Sequence, residues 1–252
     1  MKYLRRFVPT ILLISVNGAA PAPAAANEAP EGMFVMPSGS KDLAGAFLGC
    51  QDIKQQNEQL VIDACRKAAD AAPTPRAKAV LLSLRSKALL RSKRYGEAVT
   101  DAQVAVSFAP DRWEALNQLC WAAAVSGIVV PSATDACARA VGLSAARTNA
   151  RHSDAVYSLR TSNWHRAAAL FDGLAEQSAK RYPEVQFGSV IAAKWLADGY
   201  RKSADKEERE VAGIVDVNIG KVEATLAQDK PGLESARKYF RDLGFSMPDG
   251  SL

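Results

Sequence analysis

AVLLSLRSKALLRSKRYGEAVTDAQVAVSFAPDR, residues 79–112, reads as two helical stripes joined at Ser92-Lys93-Arg94 and closed by Pro110. On each side of the join apolar residues recur three and four apart, the spacing that lines one face of an α-helix. The second stripe carries Ala98, Ala102 and Ala105, and Tyr95 stands at its start. Small residues let the two helices approach closely, and an aromatic at the turn wedges the pair. Such a hairpin leaves an apolar face that only another hairpin can cover.

The rest of the chain supplies the neighbours. Ala98, Ala133 and Ala167 fall 35 and 34 residues apart, as do Ala105, Ala140 and Leu174. On the preceding helices Ser86, Cys120 and Ala155 fall 34 and 35 apart, as do Leu82, Leu116 and Arg151. Four sets of positions keep one period, and a period of this length marks a stacked-hairpin architecture.

These residues resemble the tetratricopeptide repeat family, with Tyr95, Ala98, Ala105 and Pro110 at its aromatic, small, small and proline positions. The second unit, from Trp113 to about Arg147, keeps Leu116, Cys120, Ala133 and Ala140, but has a longer turn and no closing proline. The third, from Thr148 to about Arg181, keeps Ala155, Trp164, Ala167 and Phe171, but places Arg151 and Asp154 where the family prefers large apolar residues. The resemblance implies an all-α fold, a right-handed α-solenoid of antiparallel helix hairpins. Residues 79–181 are the three repeats, 41–78 a degenerate hairpin, and 182–252 a degenerate repeat with capping helices.

The N-terminus bears on the compartment. Lys2, Arg5 and Arg6 precede a short apolar run, Phe7 to Val16, and Ala24 and Ala26 stand before Asn27 in the pattern of a secretory signal peptide. Residues 1–26 are therefore expected to be removed on export, and Pro/Gly/Ser-rich residues 27–40 to form a linker. Cleavage takes the net charge from +5 to +2, which argues against a nucleic-acid binder. No later segment is long and apolar enough to span a membrane, so the expected location is periplasmic or secreted. Phe47-Leu48-Gly49-Cys50 has a lipobox look, but no apolar run with a basic head directly precedes it.

Cysteine usage agrees with export. Cys50 and Cys65 lie 15 apart and Cys120 and Cys137 lie 17 apart. In the repeat frame Cys120 sits at the close-packing position of its first helix and Cys137 faces it from the second. Two local disulfides, Cys50–Cys65 and Cys120–Cys137, are expected in an oxidising compartment, with buried free thiols as the alternative. No C-x-x-C is present, and His152 and His165 have no ligand spacing with the cysteines, so no metal site is expected.

Catalytic signatures are lacking. His152-Ser153-Asp154 holds triad residue types, but three neighbours on one helix point in different directions. The sequence contains no G-x-S-x-G, phosphate-cradling glycine loop or H-E-x-x-H. The expectation is a non-enzymatic chain without cofactor. The resemblance places Ser83, Lys87 and Arg91, then Asn117 and Trp121, then His152, Val156 and Arg160 on the groove face. Of these Lys87, Arg91, Asn117, Trp121, His152 and Arg160 are the candidate contacts for a protein or peptide partner. Lys87, Arg91 and Asn117 suit an acidic group, and Trp121 an apolar anchor, although Trp121 could equally pack inside the fold. An accessory role in cell-envelope or cell-wall assembly, contacting glycan or an enzyme complex, is the alternative.

Overall fold

The computed structural model describes residues 45–46, 48–50, 57–144, 148–178 and 183–246. The expected signal peptide, 1–26, and linker, 27–40, lie outside them. Among the described residues there is no strand; residues 45–46 and 48–50 are helical, and ten further helices follow in order. They are α1 (Glu58–Asp70), α2 (Pro75–Arg91), α3 (Tyr95–Phe108), α4 (Trp113–Ser126) and α5 (Pro131–Leu143), then α6 (Thr148–Arg160), α7 (Trp164–Ser178), α8 (Pro183–Arg201), α9 (Lys206–Leu226) and α10 (Lys230–Asp242).

Local chemistry sets the boundaries. Asn57 opens α1 by accepting from the amides of Gln59 and Leu60, and the Thr74 hydroxyl accepts from Ala77 N ahead of Pro75 at the start of α2. The turn after α2 places Lys93 at φ 59°, and that after α6 places Ser162 at φ 58°. Each is followed by a long reach back, Arg94 N to Leu89 O at 2.9 Å and Asn163 N to Ser158 O at 2.8 Å. These turns occupy equivalent places 69 residues apart and share one geometry. Between them α4 ends on Gly127 at φ 72°, where a residue without a Cβ pays least. Residues 128–130 then lead to Pro131, which accounts for the longer middle turn.

Helices pack with their chain neighbours as hairpins α2/α3, α4/α5, α6/α7 and α8/α9, and α2, α4 and α6 also lie side by side. The alanines make these approaches close: Ala98, Ala102, Ala105, Ala133, Ala140 and Ala167 are completely buried. A buried chain from Gln118 Nε2 to Ser86 Oγ at 2.9 Å, and from Ser86 Oγ to Ala98 O at 2.8 Å, fixes the register of α2, α3 and α4.

Both local cysteine pairs are bridged. Cys50–Cys65 has a Cα–Cα distance of 4.5 Å and Cys120–Cys137 one of 4.9 Å. Loops of this length are worth about 3 kcal/mol each in the chain-entropy account. In this structure the Cys50 sulfur is engaged by Cys65.

Asp154, an oddity of the third repeat in sequence, is 1% exposed and held by both arms of the Arg166 guanidinium, at 3.1 and 2.5 Å. The first repeat contains the same device reversed, with Arg85 on α2 and Asp101 on α3 joined by two bonds of 2.5 Å. A carboxylate inside a hairpin is tolerable only with such a partner, so Asp154 marks a cross-helix tie at an otherwise apolar position.

Candidate functional site

The face shared by α2, α4 and α6 can be followed residue by residue. Ser83, Asn117 and His152 hold one level, Lys87, Trp121 and Val156 the next, and Arg91, Val125 and Arg160 the third. Two contacts anchor this alignment: Gln118 to Ser86 between α2 and α4, and Arg160 Nε to Ala124 O at 3.1 Å between α4 and α6.

The α2 end is open and cationic. Lys87 is exposed, and no ion pair engages it among the described residues. Atoms crowding its ammonium, and secondarily the Arg91 charge one turn on, lower its pKa. Arg91 is also exposed, and its Nε donates to Glu58 Oε1 of α1 at 2.5 Å.

Trp121 is half-buried, with its ring centroid 5.9 Å from that of His152. Next to it the Asn117 Oδ1 is enclosed and has no hydrogen-bond partner. His152 continues the row: its ring lies 6.2 Å from Phe171 and 5.9 Å from Tyr239, and its Nε2 is enclosed and unpartnered. Burial alone lowers the His152 pKa to about 4, so the ring is neutral at ordinary pH.

The α6 end is closed by the chain itself. α10 presents Leu233, Ala236 and Phe240 inward. Phe240 meets Phe171 at 6.3 Å and Phe187 at 5.9 Å, while Tyr239 covers His152. Gly188 makes room for this cluster, since a Cβ there would stand 2.6 Å from the Phe171 ring. Arg160 ties the arrangement down. Its Nη2 donates to Leu243 O at 2.5 Å, its Nε to Ala124 O, and its guanidinium lies 4.1 Å from the Phe245 ring centre. Leu243 closes α10, so Arg160 satisfies a carbonyl that the helix end leaves open.

The structure thus brings Lys87, Arg91, Asn117, Trp121, His152 and Arg160 onto one face but gives them different surroundings. Lys87, Arg91 and the open side of Trp121 face solvent. His152 and Arg160 are engaged with α10, and Val156 is wholly buried. The sequence suggests a last helix that caps the end of the stack and does not reveal Tyr239, Phe240 and Phe245 as neighbours of this face. The available signal was the stripe Leu233, Ala236, Phe240, the sharpest amphipathic pattern of the C-terminal region.

Among the described residues no group of three His, Cys, Asp or Glu side chains could hold a metal ion. No helix among them is long and apolar enough to cross a membrane. No protein-family model matches the chain, and no curated protein matches it.

Proposed function

We propose that the chain is an exported, periplasmic scaffold of tetratricopeptide type, a right-handed solenoid that binds a protein or peptide partner on the α2/α4 part of its inner face and has no catalytic role. One observation carries this reading. A cation without an acidic partner, Lys87, stands on the level of a half-exposed tryptophan, Trp121, on adjacent parallel helices. Unanswered charge beside an aromatic anchor favours a ligand that offers an acid and an apolar group together. The paired cysteines support export because such bridges persist in oxidising compartments.

Retention of envelope proteins on the immobilised chain tests the reading. Trp121→Ala and the double variant Lys87→Glu/Arg91→Glu should each lose the proteins that the parent retains. Unchanged retention by both variants rejects the α2/α4 face as the binding surface. Binding to isolated cell wall that survives both variants would instead favour the envelope-assembly role.

A further inference from the structure

Among the described residues α9 is the longest helix, and it packs inward through Ala212, Ile219 and Leu226, one residue every two turns. Its opposite side carries Glu210, Ile214, Val217, Lys221 and Ala224, spaced four, three, four and three, all exposed. That spacing is the one along which two helices wound together meet, here with Ile214 and Val217 as its large apolar members. Ile214 is 55% exposed and Val217 60%, among the most open large apolar side chains of the described residues. Gly213 and Gly220 flank the seam, and a Cβ at either would meet nothing within 4 Å, so another backbone has space to approach.

The charges at the two ends of the seam identify the occupant. Glu210 has a loose pair with Lys206 at 3.6 Å, with both side chains exposed. Lys221 has no ion pair among the described residues. Turned end for end, a second copy of this helix sets Glu210 opposite Lys221, Ile214 opposite Val217, Val217 opposite Ile214 and Lys221 opposite Glu210. Two apolar layers are then bracketed by two opposite-charge pairs. A parallel copy in the same register would instead set Glu210 on Glu210 and Lys221 on Lys221, a like-charge arrangement that works against it.

We infer that α9 is the interface of a two-fold homodimer in which the two α9 helices lie antiparallel, with Ile214 against Val217 of the partner subunit and Glu210 against Lys221 of the partner subunit. The interface is isologous and closes on itself. One helix pair is at the small end of specific interfaces, so the expected dissociation constant is on the order of tens of micromolar. The seam shares no residue with the α2/α4 face and does not depend on the binding role proposed above.

Sedimentation equilibrium of the full chain, with its disulfides intact, tests the inference. The parent should pass from monomer to dimer over that concentration range, and Val217→Asp should stay monomeric with unchanged helicity. Glu210→Lys and Lys221→Glu each turn two attractive contacts into repulsive ones and should weaken association by about tenfold. The double variant Glu210→Lys/Lys221→Glu should recover parental affinity, because the antiparallel register exchanges the two charges. A parent that remains monomeric up to about 1 mM, where even a millimolar complex would be half formed, overturns the dimer. A double variant as weak as the single ones, or single variants as tight as the parent, overturns the register.

Discussion

α2 and α6 begin corresponding hairpins with the same turn and the same kind of internal Arg–Asp tie, yet the faces they share with α4 meet different fates. Arg91 and Arg160 stand 69 residues apart at matching positions. Arg91 reaches a half-buried carboxylate, Glu58, whereas Arg160 directs its donors to two main-chain carbonyls and its flat face to Phe245. The levels below differ in the same way: Ser83 and Lys87 on α2 become His152 and Val156 on α6. Polarity therefore falls along the row, and α10 covers the side where it has fallen. A repeated backbone supplies equivalent positions, and whether one serves binding or packing depends on what the rest of the chain lays over it.

The strongest way to break the comparison is to remove the cover. Phe240 is completely buried among Phe171, Phe187 and Tyr239. Phe240→Ala should cost about 3–5 kcal/mol of stability in denaturant unfolding. The matching change on the open half, Lys87→Ala, should stay within about 0.5 kcal/mol, as surface substitutions do. Equal losses for the two variants would mean that α10 does not distinguish the halves.

Acid provides a second, smaller contrast. The His152 pKa is lowered from 6.5 to about 4 by burial against Trp121, Phe171 and Tyr239. Between those values the unfolded chain binds the proton and the folded chain resists it. The contribution is thus complete above about pH 6.5 and is lost as pH falls toward 4. It amounts to at most about 3 kcal/mol, and to less here because the residue as a whole is only half-buried. Urea unfolding across this window should show a decline in the parent that His152→Phe reduces, with the difference between the two proteins becoming constant above about pH 6.5. Parallel profiles for the two proteins would show that the His152 ring is not shielded by α10.

Much of this contrast was invisible in the sequence for identifiable reasons. The helices themselves were legible, because Ala98, Ala133 and Ala167 repeat at a fixed interval and small residues at fixed intervals predict close packing. The bridges were legible because the cysteines fall into two local pairs, 15 and 17 residues apart. The ties Arg85–Asp101 and Asp154–Arg166 were not, since pattern reading assigns charged residues to water unless a partner is known, and each partner lies on the next helix. The return of α10 was also hidden. An amphipathic stripe announces that Leu233, Ala236 and Phe240 will be covered, but not by which surface. For the same reason Val156 and Arg160 could be assigned to the correct face without revealing that the face is occupied there.

The smallest contrast isolates the two arginines themselves. Methionine keeps an unbranched apolar stem and removes the guanidinium. At position 160 that leaves the Ala124 and Leu243 carbonyls without their side-chain donor and removes the contact with Phe245. Desolvation already lowers the Arg160 pKa, a sign that the charge is partly withdrawn from water without a carboxylate in return. Arg160→Met should therefore cost about 1–2 kcal/mol, below the full value of charged hydrogen bonds because the guanidinium stays half-exposed. Arg91→Met breaks a pair in which Arg91 is open to solvent and Glu58 half-buried, and should cost less, about 0.5–1 kcal/mol. Amide hydrogen exchange separates the two better than a melting curve. Loss of Arg160 should raise exchange in α10 selectively, while loss of Arg91 should leave α10 unchanged. Faster exchange in α10 from the Arg91 variant, or none from the Arg160 variant, would mean that the two positions are not divided between surface and clasp as their contacts indicate.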